Sequence, residues 1–264
     1  MLAIVGAAAA CGNAAPIPQV SSVYPNGKEA PPPPPPPTVP LTSAAQSAVD
    51  RYRMAINAAL SGSADRGIEL AFSAIAPMRE VLMNGGRNGH NQLETLPAAE
   101  FDRLEKELAG VMIGRQEIVF VVTDVDYFVK LAAAQGDATD RAFFTALKAT
   151  RPAPNWPVYI EQQTDFSGCI RFGSLTLVET YRRWVNFERQ FPDRYAAGVR
   201  AEIDDVSFQL TESTCACGDR ASVDRELGRF VRDFPSAPIR SKVEGRLKAL
   251  RAGTSPVRAN CKSG

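Results

Sequence analysis

A repeated motif near the carboxyl end constrains the fold of this chain more than any other feature. The sequence Phe-x-Arg-x-Phe-Pro occurs at 187–192 and again at 230–235, so the two copies lie 43 residues apart. Apolar residues precede each copy at spacings of three and four, which is the periodicity of an amphipathic helix. Because proline does not continue a helix, each copy predicts a helix that ends at the motif and a turn that follows it.

The segments after the two motifs also correspond to each other, now with an offset of 44 residues. Their matching apolar positions are Tyr195, Val199, Ile203 and Val206 in the first copy and Ile239, Val243, Leu247 and Leu250 in the second. The last third of the chain is therefore predicted to form two helical hairpins, with one residue inserted in the second turn. At the start of the first hairpin, Thr176 and Glu179 have the spacing of a capping box.

Helical periodicity begins at Leu41 and predicts an all-α fold, an array of antiparallel helical hairpins. The β-branched run at 117–122 could form a strand, but no partner strand is evident, so we expect a buried helix there. The segment 84–91, rich in Gly and Asn, is predicted to be a flexible loop. The predicted helices are 42–60, 64–84, 98–114, 117–135, 138–150, 175–191, 193–212, 221–234 and 237–251.

The amino terminus has the pattern of an export signal. A short run of apolar and small residues fills positions 2–10, which is too short to span a bilayer, and Cys11 follows it. Ala8-Ala9-Ala10 before Cys11 resemble a bacterial lipobox, whose cysteine receives a lipid after cleavage. This resemblance implies a signal peptide at 1–10 and lipidation of Cys11. Gly12, where an Asp would imply inner-membrane retention, implies the outer membrane of a Gram-negative bacterium.

A proline-rich segment separates this signal from the helical part of the chain. Residues 11–40 include seven consecutive prolines at 31–37, which favour an extended polyproline helix. Such a segment is either a ligand for an aromatic groove or a spacer, and the adjacent lipobox-like sequence favours the spacer. We therefore predict a disordered, lipid-anchored linker at 11–40. A second proline-rich break at 151–157 divides the body into helical lobes at 41–150 and 151–264.

The remaining four cysteines, Cys169, Cys215, Cys217 and Cys261, are enough for two disulfides in an oxidising compartment. The pairing Cys169–Cys215 with Cys217–Cys261 would close one hairpin per bond, and we predict it. The exchanged pairing, Cys169–Cys217 with Cys215–Cys261, remains open, because the two central cysteines are only two positions apart. A four-thiolate metal site would require the paired spacing Cys-x-x-Cys, which the chain lacks, so no metal is expected.

A helix that ends in Phe-Pro and leads into a shorter amphipathic helix resembles the degenerate tetratricopeptide-like repeats of outer-membrane assembly lipoproteins. The segment 127–137, with its Leu-Ala…Gly-Asp turn, and Phe143–Leu147 after it show the same resemblance. The resemblance implies a solenoid with a concave binding face and carries no catalytic residues.

Charge and motif content limit the chemistry that this chain can perform. Its 30 Lys+Arg and 29 Asp+Glu leave no net basic face for tracking nucleic-acid phosphates. The single histidine, His90, lies in the Gly-rich loop, where a solvated surface role is expected rather than catalysis. Carboxylate pairs are the remaining route to hydrolysis, as in a glycoside hydrolase. The pairs are Glu161 with Asp165, and Asp124 with Asp126, whose default roles are capping and solvation.

The segment 156–168 combines aromatic, amide and acidic side chains, as sugar- or peptide-binding surfaces do. The alternative is a connector whose aromatics fill the core, which is favoured for Trp156. Nearby Arg171, Arg182 and Arg183 are expected on a solvated helix face. The candidate binding residues are Trp156, Tyr159, Glu161, Gln162, Gln163 and Asp165.

These observations predict a non-catalytic lipoprotein of the periplasm, anchored to the outer membrane. Its expected role is a helical-repeat scaffold that binds a protein or peptide of the cell envelope, without a cofactor. Contact with the membrane is expected only through the lipid, and no nucleic acid is expected as a partner. Two alternatives remain, an inhibitor or immunity-type protein against a toxin or lytic enzyme, and a cell-wall glycoside hydrolase.

Overall fold

The structure is a computed structural model that describes residues 38–84, 91–115, 119–151, 169 and 171–261. In these ranges, which lie in the compact unit Thr38–Gly264, 67% of the residues are helical. The predicted all-α class is therefore correct for most of the body, but the described residues also form one two-stranded sheet.

The described residues form ten helices and two strands. In chain order they are α1 (Ser43–Ser61), α2 (Gly67–Asn84), α3 (Gln92–Thr95), α4 (Ala98–Glu107), β1 (Val111–Arg115), β2 (Val119–Thr123), α5 (Val125–Gln135), α6 (Ala138–Thr150), α7 (Leu177–Gln190), α8 (Ala196–Thr211), α9 (Arg220–Asp233) and α10 (Arg240–Ala252). Among these helices, none is long and apolar enough to cross a membrane.

Local capping explains several of the helix boundaries. Thr42 accepts a hydrogen bond from the backbone N–H of Ala45 and starts α1, and Gly62 ends it with a left-handed backbone at φ 64°. Asp137 and Asp140 form a reciprocal capping box at the start of α6. The predicted helix 138–150 is confirmed at both ends.

The region around 107–125 differs from the prediction. Helix α4 ends at Glu107 instead of 114, and the predicted helix at 117–135 begins only at Val125, because β1 and β2 lie between. The strands pair antiparallel, with Val111 opposite Thr123. The partner strand escaped prediction because Val111–Arg115 continues the apolar periodicity of the preceding helix. Between α4 and β1, Gly110 adopts a left-handed backbone conformation at φ 81°, which glycine tolerates without strain.

Each copy of the sequence repeat forms a pair of consecutive helices that pack on each other, α7 with α8 and α9 with α10. The hairpins also pack on each other, α7 against α9 and α8 against α10. Phe191 and Phe234 end the first helices with nearly the same backbone angles, φ −136° and ψ 65° against φ −127° and ψ 65°. The Phe-Pro motif therefore has one local structure in both copies.

Two hydrophobic clusters form the core of the described body. The first is built from α1–α6 and the sheet, and Trp184 and Phe187 of α7 enter it. The second is formed by α7–α10 and the segments that flank them. Ile203 of α8 packs against both clusters. The hairpin α7/α8 is therefore shared between the two clusters.

The four cysteines form two disulfides, but with the exchanged pairing. Cys169 bonds to Cys217 and Cys215 bonds to Cys261, with Cα–Cα distances of 5.1 and 5.7 Å. The predicted pairing Cys169–Cys215 with Cys217–Cys261 is wrong. Cys217 donates its backbone N–H to Phe172, whereas Cys215 bridges to the returning carboxyl-terminal segment at Arg258. Each bond still encloses one hairpin.

The capping box predicted at Thr176 and Glu179 is also wrong. The Thr176 side chain makes no capping hydrogen bond, and Glu179 instead pairs with Arg182 at 2.5 Å. The carboxylate of Glu226, in α9, takes the capping role and accepts the backbone N–H groups of Gly173 at 2.6 Å and Leu177 at 3.1 Å. The α7 terminus is therefore capped by the following hairpin.

Candidate functional site

A groove of about 390 Å³ runs between α6 and α7 on the surface of the body. One wall carries small side chains and the other carries polar and aromatic ones. The lining residues are Ala142, Thr145, Ala146 and Ala149 of α6, and Glu179, Arg182, Arg183, Asn186, Phe187, Gln190 and Phe191 at α7.

The α6 wall follows from the amphipathic pattern of that helix. Phe143, Phe144 and Leu147 are buried in the first hydrophobic cluster. Ala142 and Ala149 lie on another side, at helical spacings from Thr145. These small side chains leave space beside α7 that larger ones would fill.

The α7 wall presents a row of polar groups above an apolar floor. Arg183, Asn186 and Gln190 are exposed and recur at spacings of three and four, so they share one helix face. Phe187 and Phe191 form the apolar part of the lining. Arg183 forms no ion pair with any residue that the structure describes, whereas Arg182 pairs with Glu179 and with Asp233. Amide and guanidinium groups of this kind can hydrogen-bond a peptide main chain or a carboxylate.

Aromatic packing fixes α6 against α7. The Phe143 ring lies 5.5 Å from the Trp184 ring and 5.6 Å from the Phe187 ring, measured between centroids. The same ring stacks on Tyr195 at 3.9 Å with an interplanar angle of 9°. Edge-to-face and stacked aromatic pairs of this size add about 1 kcal/mol each beyond their buried area. The two groove walls are therefore held in place before any ligand binds.

A charged junction anchors the end of the groove near Phe191. The Arg194 guanidinium contacts three carboxylates, those of Glu69 at 2.7 Å, Asp137 at 2.8 Å and Asp140 at 2.9 Å. Tyr195 donates its backbone N–H to Glu69 at 2.6 Å and its hydroxyl to Asp140 at 2.7 Å. We call these five residues the Arg194 junction; it connects α2, α6 and the start of α8.

The environment of the Arg194 junction shifts the pKa values of its members. Burial works to raise the pKa of Glu69, but hydrogen bonds from Arg66, the Tyr195 N–H and Arg194 outweigh it and hold that pKa below its ordinary value. Burial, followed by the hydrogen bond to Asp140, raises the pKa of the Tyr195 hydroxyl far above its ordinary value. Around neutral pH the Glu69 carboxylate is therefore ionised, and the Tyr195 hydroxyl stays protonated.

All six binding residues predicted from the sequence lie outside the described residues. This applies to Trp156, Tyr159, Glu161, Gln162, Gln163 and Asp165, and also to Cys11 and His90.

The described residues that flank the predicted binding segment are anchored on α8. Arg151 pairs with Glu202 at 2.6 Å and Arg171 pairs with Asp205 at 2.5 Å, one helical turn further along. Arg171 is buried, so the expectation of a solvated face is wrong for this residue. Burial raises the pKa of Glu202, against the opposing effect of Arg151 and Arg171.

The second predicted carboxylate pair has structural roles. Asp124 is the N-cap of α5 and accepts the backbone N–H of Tyr127 at 3.0 Å. Asp126 pairs with Lys148 at 2.8 Å, and the hydrogen bond from Lys148 holds the pKa of Asp126 below its ordinary value. These are the capping and solvated roles that the sequence favoured.

The groove and the Arg194 junction were not predicted from the sequence, although each left a signal there. The exposed row on α7 is the complement of its apolar stripe. Glu69 directly follows Ile68 in an apolar stretch, and Glu226 lies between Val223 and Leu227 in the buried stripe of α9. A carboxylate on an apolar stripe is the signal of a buried, hydrogen-bonded group.

Comparison of the chain with protein-family models, with curated protein sequences and with solved structures found no match. In the parts of the chain that the structure describes, no group of three or more His, Cys, Asp or Glu side chains is arranged to hold a metal ion.

Proposed function

We propose that the protein is a non-catalytic lipoprotein of the cell envelope, anchored to the outer membrane through Cys11. In this proposal its helical hairpins form a solenoid-like scaffold that binds a protein or peptide partner in the groove between α6 and α7. The observation that carries the proposal is the exposed row of Arg183, Asn186 and Gln190 beside an apolar floor.

The chemistry of the groove fits an extended peptide. Such a peptide offers backbone N–H and C=O groups, which the amides of Asn186 and Gln190 can pair, and side chains that the apolar floor can bury. Arg183 supplies a cation for a carboxylate of the ligand. The one carboxylate in the lining, Glu179, is in an ion pair with Arg182.

Preorganisation also supports a binding role. The ring contacts of Phe143 hold α6 against α7, and the Arg194 junction ties α6 to the start of α8, so binding does not have to order the groove walls. A ligand then loses less free energy to ordering than it would on a mobile surface. The predicted binding residues at 156–165 remain a second candidate surface.

Quantitative capture tests the groove. Full-length protein and two variants are used to recover proteins from envelope extract of the producing bacterium. The groove variant carries Arg183→Ala, Asn186→Ala and Gln190→Ala; the control carries Glu188→Ala and Arg200→Ala, both exposed and outside the lining. We expect a partner that the groove variant recovers at least about tenfold less than the control, an effect near 1.4 kcal/mol. Equal recovery by both variants would contradict the proposal.

The anchor and the absence of catalysis have separate tests. Cys11→Ser should move the protein from the membrane fraction to the soluble fraction, because one thiol carries the lipid. Clearing of peptidoglycan by the full-length chain, lost in Glu161→Gln, would establish the hydrolase alternative and refute the non-catalytic role.

A further inference from the structure

The last hairpin has a second groove, on the side that faces away from the rest of the body. This terminal groove, between α9 and α10, has a volume of about 630 Å³. Its lining residues are Gly228, Val231, Arg232, Pro235, Arg240, Glu244, Leu247, Lys248 and Arg251.

Side-chain contacts show that the other side of the same hairpin is occupied. On α9, Arg229 and Asp233 are directed to α7, where they pair with Glu179 and Arg182. On α10, Arg246 donates to the backbone carbonyl of Leu210 in α8 at 2.8 Å. The terminal groove is lined by different faces of both helices. The hairpin is therefore covered by helices on one side, and the opposite side is open among the described residues.

The repeat indicates what kind of structure fits the open side. Gly228 and Leu247 correspond in the repeat to Val185 and Ile203 of the preceding hairpin. Val185 and Ile203 pack into the second hydrophobic cluster, which α9 and α10 share. Leu247 is itself buried in this cluster, so of these two positions in the last hairpin only Gly228 lacks a packed side chain. Gly228 therefore leaves a shallow trough between α9 and α10, bordered by Leu247 and the Arg251 guanidinium, that an apolar helix stripe can approach.

The charged residues that line the terminal groove indicate the charge of the ligand that it binds. Four cations line the terminal groove, Arg232, Arg240, Lys248 and Arg251, against one carboxylate, Glu244. Three of the cations have acidic neighbours: Arg240 pairs with Glu244 at 3.0 Å, Arg251 with Asp224 at 2.6 Å and Arg232 with Asp233 at 3.2 Å.

The existing ion pairs still leave cations of the terminal groove available to a ligand. Lys248 forms no ion pair within the described part of the chain. The Arg232 side chain is 71% exposed and that of Arg251 is 61% exposed, so solvent screens both ion pairs. Asp233 is shared with Arg182 and Arg229, which weakens its hold on Arg232. Arg232 can therefore turn to a carboxylate of a ligand at little cost, and Lys248 is available without breaking an ion pair.

We propose that the terminal groove binds an acidic amphipathic helix of a partner protein. The apolar stripe of that helix lies on Val231 and Pro235, which retain exposed surface in the groove lining, and its flanking carboxylates pair with Arg232 and Lys248. The helix takes the place that a further hairpin would take in the repeat. This surface is separate from the groove between α6 and α7, so either proposal can fail without the other.

The test uses designed helical peptides of about 16 residues, roughly 24 Å long. Two fluorescein-labelled peptides share one leucine stripe and differ only in the flanking residues, Glu in one and Lys in the other. The full-length chain should bind the acidic peptide at least about tenfold more tightly than the basic one, measured by fluorescence anisotropy. Arg232→Glu with Lys248→Glu should reverse this preference. The control, Lys106→Glu with Arg200→Glu, changes charge equally at exposed sites outside the groove and should leave the preference unchanged.

Three results would overturn the proposal. The first is that neither peptide binds at protein concentrations up to about 1 mM, so that any dissociation constant is higher than this. The second is that the double reversal and the control shift binding equally, because the effect is then one of net charge. The third is that sedimentation shows an oligomer of the full-length chain that the double reversal dissociates, because the groove is then occupied by a second copy.

Discussion

The carboxylate of Glu226 caps the helix that begins at Leu177, although the two residues are 49 positions apart in the chain. The other oxygen of the same carboxylate accepts the backbone N–H of Gly173 at 2.6 Å. Glu226 is only 1% exposed, and burial raises its pKa against the lowering effect of these backbone N–H groups. One residue of α9 thereby satisfies the donors at the start of α7 and ties the two hairpins together.

Removal of the Glu226 carboxylate should destabilise the body strongly. Glu226→Ala leaves the backbone donors of Gly173 and Leu177 buried without an acceptor, so we expect a loss of about 3 kcal/mol in the free energy of unfolding. This loss is measured by urea unfolding with the disulfides intact. Glu188→Ala, at an exposed position of α7, is the control and should change stability by less than about 0.5 kcal/mol. Equal unfolding midpoints for the two variants would contradict the capping role.

The Arg194 junction predicts a pH-dependent loss of stability. Arg194→Met leaves Asp140 and Glu69 with less compensation in a largely buried site, which should lower the free energy of unfolding by about 3–5 kcal/mol at neutral pH. Glu69 and Asp137 have lowered pKa values in the folded protein, so their stabilisation is present above their ordinary pKa values and disappears as the pH falls through the lowered ones. The difference in the free energy of unfolding between wild type and Arg194→Met should therefore become smaller as the pH is lowered.

Arg200→Met is the control for this measurement, since Arg200 is exposed on α8 and forms no ion pair with the described residues. Unfolding free energies of the three proteins across the acidic range decide the point. A wild-type advantage that stays constant down to strongly acidic pH would show that Arg194 acts through packing alone.

Glu202 should have the opposite pH dependence. Burial raises its pKa in the folded state above the ordinary value of 4.5, so the folded protein holds the proton to higher pH than the unfolded chain. The contribution of this group to stability is then greatest below 4.5 and falls as the pH rises through the raised value. The free energy of unfolding of wild type minus that of Glu202→Gln should decrease over this window. An increase, measured by urea unfolding at a series of pH values, would refute the assignment.

Two glycines provide a matched pair of substitutions with opposite signs. A Cβ on Gly218 would collide with the backbone carbonyl oxygen of Gly173, so Gly218→Ala requires the chain beside Cys217 to move. We expect it to destabilise the body by at least about 2 kcal/mol. Gly245, inside α10, has open space at the Cβ position, and Gly245→Ala should stabilise by about 0.5–1 kcal/mol. Thermal melts of both variants test this, and shifts of the same sign would contradict it.

The disulfide pairing can be tested with two double variants, since cleavage between Cys215 and Cys217 is impractical. Replacing Cys215 and Cys261 by Ser should leave a bonded Cys169–Cys217 pair, with no free thiol at either residue after denaturation in alkylating reagent. Replacing Cys217 and Cys261 by Ser should leave Cys169 and Cys215 as free thiols. Free thiols in the first variant and a bonded Cys169–Cys215 pair in the second would instead establish the pairing Cys169–Cys215 with Cys217–Cys261. Loss of either bond, which encloses 48 or 46 residues, should lower stability by about 4 kcal/mol.

Local patterns predicted most helices of the body because helix faces and proline breaks are properties of short segments. Helix α6 was placed at both ends, and the Phe-Pro repeat identified α7–α10. The strand pair was missed because a strand is recognised by its partner. Val111–Arg115 continues an apolar pattern that fits helix and strand equally, and only the pairing with Val119–Thr123 distinguishes the two.

The groove and the caps depend on distant contacts, and this is why sequence reasoning did not find them. Thr176 and Glu179 have the right spacing for a capping box, yet Glu226 displaces them by providing two acceptors at once. Similarly, Arg194 looks like an ordinary surface charge until α2 and α6 bring Glu69 and Asp140 to it. The residue types were visible in the sequence, but their neighbours were not.

The disulfide arrangement has a mechanical consequence. A force applied between Thr38 and Cys261 reaches Cys169, crosses to Cys217, passes along two peptide bonds to Cys215 and leaves through the second bridge. Both hairpins lie outside this loaded path, so about 300 Å of their contour length cannot be extended. Under tension the segment between Cys169 and Cys261 therefore acts as a nearly inextensible link. Reduction would release the hidden length.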